Sequence, residues 1–98
     1  GADLAATAHT VTVLGDGRVL THAPTASLIR SVDGDVYECR VSESTLEQLR
    51  KEFPICNTVQ RADGFDVRLV AADPPTTDAE QVTASLEDAY LQTVTHAN

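Results

Sequence analysis

The sequence predicts an α+β fold: a small antiparallel sheet with a strand–helix–strand–strand core, a preceding β-hairpin and short helix, and a C-terminal helix. Two Asp-Gly pairs, at positions 16–17 and 63–64, interrupt aliphatic runs, which is a typical hairpin signal. Apolar and charged side chains alternate over residues 36–41 and 65–69, as they do in half-buried strands. Apolar residues at helical spacing lie between these strands, at 46–53. One helix over an antiparallel sheet buries both patterns.

The N-terminal part of the chain is predicted to contain a helix end, a hairpin and a short helix. Residues 3–8 are predicted to be the last turns of a helix. Aliphatic residues flank the Asp-Gly turn of the hairpin on both sides: Val11, Val13, Leu14, Val19 and Leu20. Pro24 and Thr25 then begin a short helix that continues through Ile29 and ends before the Asp-Gly pair at 33–34.

The strand predicted at 36–41 has two unlike faces. Its apolar face carries Tyr37, Cys39 and Val41. Its charged face carries Glu38 and Arg40. Ser44 and Glu47 have the spacing of a capping box, which predicts the start of the following helix. Pro54 ends that helix, and residues 55–61 are predicted to form the next strand.

The C-terminal part is predicted to be a linker followed by a helix. Residues 71–81 contain two adjacent prolines and paired threonines, which are typical of a linker. Ser85 with Asp88 resembles a helix start, and the apolar spacing continues through Val94. The tail after Thr95 is expected to fray.

Composition and charge restrict the partners that the chain can have. Its 98 residues include 15 acidic and 7 basic ones, for a formal net charge of −8. That balance disfavours nucleic acid and anionic membrane surfaces, because both bind basic patches. No apolar run approaches the roughly 20 residues that span a bilayer, so we expect no direct membrane insertion. No signal peptide is predicted, and two cysteines, Cys39 and Cys56, suggest reduced thiols rather than a disulfide framework.

The sequence contains no recognisable cofactor-binding motif. A phosphate-binding loop needs glycines followed by Lys and then Ser or Thr. The single lysine, Lys51, is instead followed by Glu52 inside a predicted helix. His9, His22 and His96 lack the spacing of metal ligands.

Catalytic interpretations remain open only for a cysteine and for paired carboxylates. Cys39 is a candidate nucleophile with His22 as its base, although a lone strand cysteine is more often a small buried hydrophobe. Two pairs of carboxylates are candidates for acid–base chemistry, and each also has a structural interpretation. Asp33 and Asp35 flank a turn glycine, and Glu87 and Asp88 lie at a predicted helix start, where the helix dipole favours negative charge. We predict no catalytic, cofactor-binding or metal-binding residue, and no enzymatic activity of this chain by itself.

Two stretches resemble the C-terminal part of ABC transporter ATPases. Residues 2–20, ADLAATAHTVTVLGDGRVL, look like the segment that follows the switch-histidine strand, in which a helix leads into a strand, a glycine turn and a second strand. The matching residues are Ala8, Val11, Val13, Leu14, Gly17, Arg18 and Val19. Residues 23–29, APTASLI, resemble the short helix that follows there. Residues 85–91, SLEDAYL, resemble the close of ATPases that serve drug and antibiotic export permeases.

The sequence also departs from the family pattern. His9 stands where the family usually has Asp, and Thr10 where it has Arg. His9 is therefore not the switch histidine, which by spacing would precede Gly1. Thr83 and Ala84 replace the usual Pro-Ser approach to the last helix. The family's ATP-contacting motifs are not among these residues, so the resemblance transfers no catalytic residue.

The resemblance implies a C-terminal accessory or regulatory fragment of an ABC transporter ATPase that powers export through a membrane permease. Residues 1–31 would be the tail end of the ATPase core, and residues 32–98 an accessory α+β domain with the linker 71–81 and the C-terminal helix. ATP and magnesium would bind elsewhere in the full-length protein. The implied partners are the upstream nucleotide-binding core of the same chain, a second ATPase subunit and the permease. The implied location is the cytoplasm, at the inner face of the membrane.

An alternative does not depend on the resemblance. Strand–helix–strand–strand units often dimerise or bind small effectors, so the chain is alternatively a stand-alone small-ligand-binding or dimerisation module. A separate hypothesis rests on charge asymmetry, because no basic residue follows Arg68. On this hypothesis, Glu87 and Asp88 contact basic loops of a partner.

Overall fold

A computed structural model describes residues 2–7 and 9–97, so Gly1, Ala8 and Asn98 lie outside the described residues. The chain divides into two compact units, one formed by Gly1–Asp33 with Ala84–Asn98 and the other by Gly34–Thr83. The α+β class is confirmed. The elements are β1 (Ala2–Ala6), β2 (Thr10–Gly15), β3 (Arg18–Pro24), α1 (Thr25–Arg30), β4 (Val36–Val41), α2 (Glu43–Glu52), β5 (Ile55–Arg61), β6 (Gly64–Val70), β7 (Glu80–Gln81) and α3 (Leu86–Ala97).

The first unit is a three-stranded antiparallel sheet, in the order β1-β2-β3, that packs against α1 and α3. The predicted hairpin is confirmed: Asp16 and Gly17 form a two-residue turn with φ of +52° and +80°. A turn with two positive φ angles matches the twist of the strands that it joins, and Asp-Gly adopts it readily. Val11 and Val13 on β2 are fully buried.

The predicted helix end at residues 3–8 is wrong. Ala2–Ala6 forms the strand β1 instead, with Asp3 opposite Leu14 and Ala5 opposite Thr12. Ala8, which belongs to both the predicted helix and the resemblance, lies outside the described residues. The physical reason is strand pairing. Strand β2 has a free edge on the side away from β3, and pairing of Ala2–Ala6 with that edge satisfies the backbone groups of both segments.

The second unit is a four-stranded antiparallel sheet, in the order β5-β6-β4-β7, with α2 on one face. The predicted alternation along β4 and β6 is confirmed. Its apolar side forms a core with the inward residues of α2: Tyr37, Cys39, Val41, Leu46, Leu49, Val67, Leu69 and Ala71. Charged residues of the same strands therefore point away from the helix.

Helix α2 begins two residues earlier than the capping-box pattern predicted. Its N-cap is Ser42, whose hydroxyl accepts a hydrogen bond from the Thr45 amide at 3.2 Å, so Ser44 is not the cap. The reason is that β4 ends at Val41 and the chain turns at once into the helix. The predicted end before Pro54 is confirmed, with Phe53 as C-cap.

Two C-terminal predictions need correction. The end of the predicted linker 71–81 forms β7, which pairs with β4, and the Val82 amide donates to the Val36 carbonyl at 2.9 Å. Pairing there covers the exposed edge of β4. Helix α3 continues beyond Thr95 to Ala97. By its contacts it belongs to the first compact unit.

The helices of this chain are short. Among residues 2–7 and 9–97, no helix is both long and apolar enough to cross a bilayer.

Candidate functional site

The sheet of the second unit carries a polar groove on the face opposite α2. Cross-strand pairing builds two adjacent rows of side chains on this face, Val59–Asp66–Arg40 and Asn57–Arg68–Glu38–Glu80. The groove has a volume of about 510 Å³. We call it the open-face groove, and its lining residues are Glu38, Cys39, Arg40, Asn57, Val59, Arg61, Asp66, Val67, Arg68, Asp78 and Glu80.

An ion-pair network centred on Asp66 organises the β5 side of the groove. One Asp66 oxygen accepts a hydrogen bond from the Nε of Arg40, and the other accepts from the Nε of Arg61 at 2.8 Å. The Nη1 of Arg40 also donates to Asp63 at 2.7 Å. Arg40, followed by Arg61, lowers the pKa of Asp66 from 3.8 to about 2. Exposed ion pairs add little net stability, so the main consequence is orientation of the two guanidinium groups.

The two terminal nitrogens of the Arg61 guanidinium group are available to bind a ligand. Arg61 uses only its Nε towards Asp66, and its Nη1 and Nη2 donate to none of the described residues. Its side chain is 52% exposed. A guanidinium whose two terminal nitrogens are unoccupied is a planar fork that matches a carboxylate or a phosphate.

The β7 side of the groove carries two carboxylates on facing positions. Glu38 is directly opposite Glu80 in the sheet register. Arg68 donates to Glu38 at 3.3 Å and to the Thr83 carbonyl at 2.8 Å. Within the described part of the chain, Glu80 has no ion-pair partner. Like charges in directly opposite positions destabilise a sheet, so this arrangement is a local electrostatic cost.

The structure favours a structural role for Cys39. Cys39 is buried in the core beneath α2, and this burial raises the pKa of its thiol. A hydrogen bond with Thr76 lowers the pKa of Cys39, and the negative charge of Asp78 raises it further. A raised pKa leaves little of the nucleophilic thiolate at neutral pH. His22, its candidate base, lies in the first unit with its Nδ1 2.6 Å from the Thr12 hydroxyl. Cys39 and Cys56 are not joined in a disulfide.

The paired carboxylates occupy structural positions. Asp88 is 1% exposed, and it accepts hydrogen bonds from the Ser85 amide at 2.8 Å and the Ser85 hydroxyl at 2.9 Å. The Ser85 hydroxyl accepts in return from the Asp88 amide at 3.4 Å, so the predicted helix start is confirmed. Only Glu87 of this pair is exposed, which leaves Asp88 unavailable to a partner. Asp33 accepts from the Ala84 amide at 3.5 Å, and Asp35 follows Gly34 in the turn.

The described residues do not fit the ATP and magnesium that the resemblance implies for a full-length protein. Lys51 lies near the end of α2 rather than after a glycine-rich loop. Residues 2–7 and 9–97 contain no group of three His, Cys, Asp or Glu side chains that could hold a metal ion. His9 lies before β2, and its carbonyl accepts a hydrogen bond from the Thr25 amide at 2.9 Å, whereas His96 lies in α3.

Sequence reasoning did not identify the open-face groove. Alternation correctly placed Glu38 and Arg40 together, and Asp66 with Arg68, on one face of each strand. It did not indicate that Arg61 on β5 would reach the same carboxylate as Arg40 on β4, because that requires β6 between them.

Comparison of the chain with protein-family models, curated proteins and solved structures gave no match.

Proposed function

We propose that this chain is the C-terminal accessory region of an ABC transporter ATPase that powers export through a membrane permease. The observation that carries the proposal is the order of the matched stretches. A hairpin and short helix at residues 10–30 come first, SLEDAYL at 85–91 comes last, and a separate α+β unit lies between them in the chain. Each stretch is short, but the three together follow one family order.

An apolar pair on the hairpin supports the proposal. Leu14 and Val19 are directly opposite each other on β2 and β3, and they are 37% and 57% exposed. Exposed paired apolar side chains are suited to packing against another surface. In the proposed full-length protein, that surface is the nucleotide-binding core of the same chain.

The role of residues 34–83 in this proposal is accessory. ATP binding and hydrolysis belong to the core and to its pairing with a second ATPase subunit. The unit at 34–83 then acts on assembly or regulation of the transporter at the inner face of the membrane. Strand β1 occupies the place of a helix in the family pattern, and that departure counts against the proposal.

Two experiments test the proposal. The coding region upstream of Asp3 should encode a phosphate-binding loop, a signature loop and a histidine just before this segment, in one reading frame. A start codon at residue 1 would refute the proposal.

The second experiment is a deletion in the full-length protein. Residues 34–83 can be replaced by a short Gly-Ser linker, because the Ala84 amide nitrogen is 3.5 Å from a carboxylate oxygen of Asp33. We expect this deletion to retain ATP binding and to alter transport; unchanged transport would refute the accessory role.

A further inference from the structure

We propose that the open-face groove binds a short unblocked peptide, with its C-terminal carboxylate at Arg61 and its N-terminal ammonium at Glu80. The groove lies wholly within residues 34–83, so this inference does not depend on the proposed transport function. Its volume of about 510 Å³ falls in the range of roughly 300–1,000 Å³ that is typical of small-molecule sites.

The lining has a charge composition that selects against simple anions. Three of the seven basic residues of this acidic chain line the groove, together with four carboxylates. A ligand that carries only negative charge would be repelled by the carboxylates. A ligand with one charge of each sign can pair with both sides at once, because the terminal nitrogens of Arg61 and the carboxylate of Glu80 lie on different strands.

The carboxylate end of the ligand is recognised by a pre-oriented fork. Asp66 holds the Nε atoms of Arg40 and Arg61 simultaneously, which restricts both side chains before a ligand arrives. The Nη1 and Nη2 of Arg61 then form two parallel hydrogen bonds to a carboxylate. Asp66 is a positioning residue in this arrangement.

The ammonium end is recognised by the facing carboxylates. Arg68 donates a hydrogen bond to one oxygen of Glu38 at 3.3 Å, and Glu80 has no ion-pair partner among the described residues. An ammonium group beside Glu80 would offset the repulsion between the two glutamates. The same three donor hydrogens can satisfy both carboxylates.

The distance between the two ends sets the length of the ligand. The Nε of Arg61 lies 2.8 Å from Asp66 on β6, and Glu80 on β7 is two strand spacings from β6 and two residues further along the strands, level with Arg68. Two spacings of about 4.8 Å across the strands and two residues of about 3.4 Å along them combine to roughly 12 Å. An extended peptide covers about 3.4 Å per residue, so about four residues span the groove. Arg68 and Glu38 lie between the two ends, whereas Asn57 and Val59 line the groove on β5, opposite Arg68 and Asp66.

The test is an NMR and calorimetric titration of the full chain with tetra-alanine. Three matched peptides carry an acetylated N-terminus, an amidated C-terminus, or both. We expect tetra-alanine to shift the amide signals of Asn57 and Val59, and each single block to weaken binding by roughly tenfold or more, as expected for loss of a charged hydrogen-bond partner. Absence of shifts, or equal affinity for all four peptides, would overturn the proposal.

Variants assign each end of the peptide. Arg61→Gln should bind tetra-alanine no better than the amidated peptide, and Glu80→Gln no better than the acetylated one. Arg50→Gln is the control, because Arg50 pairs with Glu47 on α2, away from the groove. Thermal stability no lower than that of the unsubstituted chain verifies that each variant folds. Weakening by Arg50→Gln equal to that by Arg61→Gln would instead indicate non-specific charge attraction and would contradict the site.

Discussion

A Cβ atom at Gly64 would lie 2.6 Å from the carbonyl oxygen of Val41, so β6 can begin beside the end of β4 only because position 64 has no side chain. Gly64 also has a φ of +148°, which L residues rarely adopt. Two separate constraints therefore select glycine at this position.

Substitution of Gly64 by Ala should destabilise the chain by about 1–3 kcal/mol, because the new methyl group meets backbone that cannot move independently. Chemical denaturation measures this loss. Gly17→Ala is the matched control, since Gly17 has a φ of +80° but a Cβ added there would meet no atom within 4 Å. The control should cost only the conformational strain, about 1 kcal/mol. Equal losses for both variants would contradict a steric role for Val41.

Removal of the Asp88 carboxylate should weaken the start of α3. Asp88→Ala leaves the Ser85 amide without its acceptor in a buried position, and we expect a loss of about 1–2 kcal/mol. Glu87→Ala is the control, because Glu87 is exposed and also lies in the first turn. Denaturation of the two variants compares them directly. A larger effect of Glu87→Ala would indicate that helix charge, and not the cap, is decisive.

The ionisation of Asp66 predicts a pH dependence in acid. Its pKa is about 2 in the folded chain against 3.8 ordinarily, because Arg40 and then Arg61 donate hydrogen bonds to it. A lowered folded-state pKa contributes stability above the ordinary value, and that contribution is lost as the pH falls towards 2. Titration of the Asp66 carboxyl carbon by NMR measures the pKa. Arg61→Gln should raise it towards 3.8, whereas Arg50→Gln should leave it unchanged.

The two thiols should react at different rates. Burial raises the pKa of Cys39, and Cys39 lies in the core beneath α2, whereas Cys56 is only partly buried on the edge strand β5. Alkylation by iodoacetamide at a pH of about 8 should therefore modify Cys56 first. Mass spectrometry of Cys39→Ser and Cys56→Ser variants identifies the modified residue. Faster modification of Cys39 would restore its candidacy as a nucleophile.

The exposed apolar pair Leu14 and Val19 should contribute to packing of the hairpin against another surface, and not to folding of this chain. Leu14→Ser with Val19→Ser should leave the stability of this chain nearly unchanged, because both side chains are exposed here. In the proposed full-length ATPase the same changes should impair packing of this hairpin against the nucleotide-binding core. Val59→Ser, at the other exposed aliphatic residue, is the control. A severe loss of stability in the isolated chain would contradict this prediction.

The sequence by itself determined the elements whose signals are local. Asp16-Gly17 specified its turn because few residue pairs tolerate two positive φ angles, and alternation from Tyr37 to Val41 specified the two faces of β4. Pro54 ended α2 where it was expected to, because proline cannot continue a helix.

Only the tertiary structure decided the features that depend on which backbone edges meet. Ala2–Ala6 became a strand because β2 offered unpaired hydrogen-bonding groups, and residues 80–81 became β7 because β4 did the same. The sheet order β5-β6-β4-β7 likewise brought Arg61 and Arg40 to opposite sides of Asp66. No local pattern encodes these pairings, since the partners are separated in sequence and meet through backbone hydrogen bonds that every residue type can accept and every type except proline can donate.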